Sequence, residues 1–504
     1  MVQTTGTDKK MDTLSLELQT REIMTQVIIF GGIVLYSLLV ALLIGLGQFL
    51  LVAILMGGLL FTLLFFSQAK MAVLILIFVR ANLHIVRVQS LAGLGVDGIL
   101  NLVVVVFGLF YWIMNKDRVK WPKELKFFSI FVLYVVASVV WSVWRMATIR
   151  LGLRIVGYPV LLFLVLGEFR TKKDIMFLIN VLCLAALPNV AYAIYGFLRN
   201  PGIFLQESSR LAGLSYSKPW AVGQYAMALG TLIMWPLVVS NKPNILRWGL
   251  LFLLAVVLIL TKTRAAVLAF FLSNTPLLFL TPMVSRERKA MALFFFLLVC
   301  AVLFPALTDR FTDLFPQQQT ATPWHELVPD NSVEWRIGLW KSEIKYMWDF
   351  VILGCGYGSI AFYNLFHNMD LQFPITGHGE YLQLFIELGI PGFILYILTM
   401  IGFLRLGWNR YRAMDQDKFG QALAGATVAV SMQWMMIAVI DDFLGVFQSI
   451  TLLIILGGIV ANYYTYCYEA PEPASGDSAE SREKLPTAAS ATFPPMRRSF
   501  GGSN

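Results

Sequence analysis

Charge is what this chain has least of. Asp, Glu, Lys and Arg make up 14% of its 504 residues, where soluble domains carry roughly a quarter. With 58% hydrophobic residues and a mean hydropathy of +0.71, that scarcity excludes a soluble domain and leaves an integral membrane protein. Cysteine is equally sparse. Of four cysteines, Cys183 and Cys300 fall within apolar runs, Cys467 follows the last run, and only Cys355 is expected outside the membrane. No intramolecular disulfide is therefore expected, and no ligand spacing suggests zinc. The four histidines, His84, His325, His367 and His378, share no metal-binding pattern, so no metal or other cofactor is expected. The opening segment, with Lys9, Lys10, Asp12, Glu17 and Glu22, lacks the short apolar core and cleavage site of a signal peptide, and the first span is expected to be retained. No internal repeat is evident, which weakens a transporter built from inverted repeats.

What the chain has in quantity is apolar sequence. Runs at 26–45, 47–66, 98–114, 127–144, 155–167, 175–198, 219–239, 245–260, 265–281 and 290–307 precede a long polar stretch, and a short run at 71–79 is a weaker candidate. The pattern resumes at 381–404, 421–440 and 449–466. The fold expected is all-α: a polytopic integral membrane protein of roughly 12 to 14 transmembrane helices. Its parts are a cytoplasmic N-terminus (1–25), a helix bundle (26–307), a periplasmic loop (308–379), C-terminal transmembrane helices (380–467) and a disordered cytoplasmic tail (468–504) rich in Pro, Ser, Ala and Gly. Within the loop, Trp335, Leu339, Trp340, Ile344, Met347 and Trp348 recur at helical spacing, which predicts an interfacial helix with tryptophans at headgroup depth.

The net charge of +9 sits in short loops between spans rather than on one polar face, which disfavours nucleic acid as a partner. Lys116, Arg118, Lys120, Lys123 and Lys126 share one loop, Arg170, Lys172 and Lys173 another, and Arg405, Arg410, Arg412 and Lys418 a third. A cytoplasmic start and end place all of these on the cytoplasmic side, as positive-inside loops require. The same count puts Arg80, Arg87, Arg145, Arg150, Arg154, Arg199, Arg210, Arg264 and Arg336 on the translocated side. Guanidinium groups gathered there point to an anion, and a phosphorylated lipid fits.

Several residues could carry chemistry. Arg264, in Thr-Lys-Thr-Arg264-Ala-Ala between two spans, either holds an anion or snorkels to the interface. Arg210 in the preceding outer loop could approach the same place, and two bidentate guanidinium groups can grip a diphosphate and stabilise it as a leaving group. Gly354-Cys-Gly356-Tyr-Gly358 is either a backbone anion nest or a tight turn. His378, where the loop re-enters the membrane, suits proton removal from an acceptor hydroxyl, or is structural. Glu380 and Glu387 could orient that imidazole, pair with an arginine or cap a helix start. Asp441-Asp442 could balance the arginines or bind cations.

In order along the chain, Arg210-Leu-Ala-Gly213, Thr-Lys-Thr-Arg264-Ala-Ala, Arg336 with Trp340, Gly354-Cys-Gly-Tyr-Gly358, His378 with Tyr381, and Glu387-Leu-Gly-Ile-Pro-Gly392 resemble the O-antigen ligase and O-antigen polymerase superfamily of bacterial envelope glycosyltransferases. The likeness is best over 210–402. It implies an inner-membrane enzyme, facing the periplasm, that transfers glycan from an undecaprenyl-diphosphate-linked donor to a glycan or lipid acceptor, with inversion and without metal or nucleotide. It implies catalytic roles for His378, Arg264 and Arg210, with Arg336, Gly356, Gly358, Glu380 and Tyr381 binding substrate. Other polysaccharide assembly proteins, such as a chain-length regulator, are expected partners alongside the lipid bilayer. The moderate outer loop and extra tail favour a polymerase over a lipid A-core ligase. Transport of a lipid-linked sugar or small anion is the competing class, and a scaffold is the weakest reading.

Overall fold

The structure, a computed structural model, describes residues 58, 61–82, 96–199, 219–239, 244–261, 263–282, 284–291, 293–294, 301, 333–367, 379–444 and 446–469. The expected spans at 26–45 and 290–307, the N-terminus and all but the first residues of the tail lie largely or wholly outside them. Described regular structure is helical throughout: α1 (Ala69–Asn82), α2 (Val96–Asn115), α3 (Lys126–Ala137), α4 (Arg145–Glu168), α5 (Lys172–Arg199), α6 (Pro219–Val239), α7 (Ile245–Leu260), α8 (Arg264–Leu280), α9 (Val333–Met347), α10 (Ile360–His367), α11 (Glu380–Ala413), α12 (Lys418–Ile437) and α13 (Phe447–Asn462), which runs on into a π-helical turn, Tyr463–Tyr468. Among these residues five helices are long and apolar enough to cross a membrane, namely α4, α5, α6, α11 and α13 with its π turn. The doubtful run at 71–79 is a helix, and α7 and α8 fill the expected runs closely.

The bundle closes around α12. Its buried face is rich in small residues, Gly420, Ala422, Ala424, Gly425, Ala426, Ala429 and Ser431. A Cβ at Gly425 would stand 2.6 Å from the Trp235 ring of α6. Lipid gives helices no hydrophobic reason to associate, so close backbone approach of this kind is what binds them. Asp417 caps α12 by accepting from the Phe419 N–H at 3.0 Å, and Asn244 caps α7 by accepting from the Arg247 N–H at 3.1 Å.

The two ends of the bundle differ in chemistry. At one, the Arg170 guanidinium donates to the Arg118 carbonyl at 2.9 Å, Arg410 lies 3.8 Å from Glu124 and 4.0 Å over the Tyr464 ring, and Lys172 lies over Phe419. The lysine-rich loops thus converge there. At the other end, residues 138–144, 351–359 and 438–446 interlock. The Val143 N–H donates to the Cys355 carbonyl at 2.8 Å, Trp141 Nε1 to the Leu353 carbonyl at 2.9 Å, and the Tyr158 hydroxyl to the Leu444 carbonyl at 3.3 Å.

Two expected spans are redrawn at this second end. The run at 127–144 forms a helix only to Ala137, because Ser138 and Ser142 turn inward. Ser138 Oγ accepts from the Tyr357 N–H at 3.3 Å, and Ser142 Oγ bonds Thr148 Oγ1 at 2.6 Å and Ser359 Oγ at 2.9 Å. Helix α4 then starts at Arg145 rather than 155, so Arg145, Arg150 and Arg154 are helical residues rather than loop residues. Arg154 lies about 13 Å along the helix at 1.5 Å per residue.

Helix α11 is broken inside its length. Gly389 has φ 64° and ψ −171°, and Pro391 follows. A proline ring lacks an N–H and forbids a regular turn before it, so nearby carbonyls lose their helical donors. The segment after α9 supplies replacements: Cys355 N–H donates to the Ile386 carbonyl at 3.0 Å, Gly356 N–H to the Glu387 carbonyl at 2.8 Å and the Tyr134 hydroxyl to the Leu388 carbonyl at 3.1 Å. In return Ile390 N–H donates to the Val351 carbonyl at 2.8 Å. A Cβ on Gly389 would come 2.6 Å from the Ile352 carbonyl oxygen. Gly389→Ala should therefore cost roughly 2–4 kcal/mol, combining left-handed backbone strain with overpacking. Thermal unfolding of the purified protein in detergent measures it; an unchanged midpoint would mean that this junction does not hold the end together.

Candidate active site

Arg264 stands at the first position of α8, directly after the corner Thr261–Thr263. Thr261 Oγ1 donates to the Leu258 carbonyl at 2.7 Å, and Thr263 precedes the helix without a side-chain cap. The start of α8 therefore places the positive end of its helix dipole beside a guanidinium. The corner is recessed. A Cβ at Gly223 of α6 would meet Thr261 Oγ1 at 2.8 Å and Thr263 at 3.0 Å, so Arg264 starts its helix about 6 Å inside the end of α6, four residues along at 1.5 Å each. Next to Gly223, Gln224 is fully buried, and neither of its amide atoms has a hydrogen-bond partner among the described residues.

The glycine segment resolves as a tight turn fitted to the α11 break. Gly354, Gly356 and Gly358 all have positive φ, between 77° and 98°. A Cβ at Gly354 would lie 2.2 Å from the Glu387 carbonyl oxygen, at Gly356 2.3 Å from Ser142, and at Gly358 2.3 Å from Leu151. The segment's N–H groups are used within the protein. Gly356 serves the Glu387 carbonyl, Tyr357 serves Ser138, and Gly358 and Ile360 bond the Glu387 carboxylate. The carboxyl group they cradle is thus the chain's own Glu387, and Gly356 and Gly358, expected to bind substrate, are used in this junction.

Glu380 and Tyr381 are likewise committed to structure. The Glu380 carboxylate is buried and accepts from the Tyr396 hydroxyl at 2.5 Å, Trp434 Nε1 at 3.3 Å, and the N–H groups of Phe443 and Leu444 at 2.6 and 3.1 Å. It pins the turn after α12 to the start of α11. Tyr381 donates its hydroxyl to the Met435 carbonyl at 3.0 Å. Glu380 and Tyr381, both expected to bind substrate, thus make these bonds within the protein. Asp442 acts electrostatically on Glu380, Glu387 and Tyr357, and Arg154 also acts on Tyr357. The acidic pair and one arginine of α4 therefore meet at one cluster.

Helix α9 is two-faced. Of its expected apolar set, Leu339 is buried, whereas Ile344 and Trp348 are exposed together with Ile337. The buried face also carries a carboxylate: Glu343, fully buried, accepts from Asn364 Nδ2 at 2.8 Å, and Asn364 Oδ1 in turn accepts from the Tyr346 hydroxyl. Its period with Leu339 and Tyr346 was the readable signal. One turn from Arg336, Trp340 places its indole against Gly379, where a Cβ would lie 3.3 Å from Nε1. This seats Arg336 beside the entry to α11. His378 and Arg210 lie outside the described residues. The structure thus brings Arg336 to the α11 entry and Arg264 to the recessed corner, with α12 packed against both α8 and α11.

A multi-pass membrane protein with basic loops converging at one end and a scaffolded arginine-bearing rim at the other is the class these features define. Residues 249–397 match a family model described as O-antigen ligase. The match supports the O-antigen ligase and polymerase superfamily that the motifs resemble, and indicates glycosyltransferase activity of that type in polysaccharide biosynthesis. It covers Arg264, Arg336, the glycine turn, His378, Glu380 and Tyr381, and leaves Arg210 out. No curated protein matches the chain.

Burial pushes the Glu343 carboxyl up to about 7, with the Asn364 bond opposing the rise. A carboxyl raised in the folded state favours folding while protonated. Its contribution is full below about pH 4.3, the unfolded value, and is lost as pH rises through about 7, a difference on the order of 3 kcal/mol. Thermal midpoints of wild type and Glu343→Gln between pH 4 and 8 should therefore diverge, the wild type declining more steeply. Parallel profiles would show that Glu343 does not titrate in this range.

Proposed function

We propose that the chain is an inner-membrane glycosyltransferase that joins glycan repeat units carried on undecaprenyl diphosphate at the periplasmic face, and so polymerises an exopolysaccharide or O-antigen. The observation that carries this reading is Arg264 at the recessed, uncapped start of α8, within the segment matched to the O-antigen ligase family. A guanidinium and the positive end of a helix dipole at one point form a site for a diphosphate whose lipid lies in the bilayer.

In this reading an acceptor hydroxyl attacks the anomeric carbon, the bond from that carbon to the diphosphate oxygen breaks, and the carrier diphosphate leaves from the opposite face. The configuration inverts. Arg264 and Arg210 stabilise the charge that develops on the leaving group. His378 takes the hydroxyl proton. The lipid diphosphate is already activated, so positioning, charge stabilisation and a base suffice without a metal or nucleotide. The basic loops at the lysine end face the cytoplasm, which fixes the arginine rim outward. The exposed Ile337, Ile344 and Trp348 ridge of α9 suits headgroup depth. A transporter would need cationic groups along the whole passage, whereas Arg145, Arg264 and Arg336 belong to one end.

Reconstitution with an undecaprenyl-diphosphate-linked repeat unit and no other acceptor should give a product ladder with release of carrier. Activity only after addition of a lipid A-core acceptor would mean ligase, and passage of substrate across the bilayer without bond formation would mean transport. Arg264→Ala should reduce transfer by at least about 100-fold while the protein stays folded and inserted, the scale seen when a group that stabilises leaving-group or oxyanion charge is removed. His378→Ala should lower turnover more than donor binding.

A further inference from the structure

Inside the bundle, a polar strip runs along the face of α6 that meets α8 and α12. Its lower part is largely paired. Gln433 Nε2 donates to Thr231 Oγ1 at 2.7 Å and Ser273 Oγ at 3.0 Å, Asn274 Nδ2 donates to Thr231 Oγ1 at 3.1 Å, and Trp235 Nε1 donates to Asn274 Oδ1 at 3.0 Å. Most of these polar atoms find partners among themselves, as an interior away from water favours.

The strip is open at its upper end. Gln224 lies seven residues before Thr231, on the same helical face and about 10 Å nearer the arginine rim. It is fully buried, and among the described residues neither its amide oxygen nor its amide nitrogen has a hydrogen-bond partner; the Tyr225 hydroxyl and Gln433 Oε1 have none either. A primary amide offers two donors and two lone pairs, and an enclosed, low-dielectric site makes leaving them unmet costly. Lipid chains cannot meet them. Next to it, Gly223 abuts Thr261 and Thr263, which puts the Gln224 amide at the level of the uncapped α8 start and Arg264.

We propose that Gln224 is a substrate-binding residue for a glycosyl diphosphate. Its NH2 donates to a diphosphate oxygen beside Arg264, and its carbonyl accepts from a hydroxyl of the first sugar. This rests on the reading of Arg264 as a diphosphate site. A sugar diphosphate is the ligand chemistry that supplies acceptors and donors together at that point, and so meets both vacant atoms of the amide.

The test uses the full-length protein in bilayers, with the undecaprenyl-diphosphate-linked repeat unit and sugar-free undecaprenyl diphosphate as probes. Gln224→Leu should keep or raise the thermal midpoint, because it removes an unmet polar group rather than a contact. It should raise KM for the glycan donor about tenfold or more with a smaller change in kcat, the loss expected for hydrogen bonds to a charged ligand. Binding of the sugar-free carrier should weaken less than binding of the donor. Gln224→Glu should weaken both, by placing a carboxylate against the diphosphate. A wild-type KM in Gln224→Leu would mean that water meets the amide, and would overturn the assignment. A lowered midpoint in both Gln224→Leu and Gln224→Met would assign the residue to structure instead. If Arg264→Ala loses transfer while Gln224→Leu does not, only the role of Gln224 fails; if the wild type neither binds nor transfers the donor, both readings fall.

Discussion

The broken helix at Gly389 is the constraint on which this end of the molecule depends. A transmembrane helix satisfies its own backbone, so a break leaves carbonyls that must find donors within the protein. Here three consecutive carbonyls, Ile386, Glu387 and Leu388, are met by Cys355, Gly356 and Tyr134. Those donors bring α3 and the segment after α9 to the same point. Once the glycine turn is docked, Ser138, Ser142 and Ser359 tie it to the corner between α3 and α4. The start of α4, which carries the arginines, is thereby fixed in relation to α11. The Glu387 side chain completes the junction by holding the far end of the turn through Ile360 and Gly358.

Much of this was legible in the sequence, and what was not has a common cause. Apolar runs bounded by polar loops gave α5 to α8 and α12 within a few residues, because length and hydropathy alone decide them. The grouping of basic loops was legible for the same reason, since loops between short spans must alternate. What failed was any position where the chain turns inside the membrane-facing bundle. Residues 138–144 read as apolar helix because Val139, Val140, Trp141 and Val143 are as hydrophobic as a span, and only Ser138 and Ser142 hint at a corner.

The candidate site was half legible. Arg264 was singled out because a guanidinium between two spans has no inexpensive place to go. Glu380 and Glu387 were also conspicuous, yet their function is internal: a buried carboxylate can be stabilised by backbone N–H groups that no composition or spacing reveals. Gln224 went unnoticed for the opposite reason. An uncharged amide hardly lowers the hydropathy of the run at 219–239, and its significance appears only once both of its polar atoms are seen to be buried without a partner among the described residues. Glu343 was legible only through its helical period with Leu339 and Tyr346, which puts it on the buried face.

The way these carboxylates are satisfied bears on the charge of the whole rim. Glu380 receives a phenol, an indole and two backbone N–H groups, and Glu387 receives an amide and backbone N–H groups. All of these donors are uncharged. Had either acid been held by an arginine, that guanidinium would have been used in the framework. Uncharged donors hold both acids without using one, and several of those donors are backbone N–H groups fixed by the fold. A cationic rim built this way keeps its attraction for an anion while its framework stays rigid, which is the preorganisation that stabilising a departing diphosphate calls for.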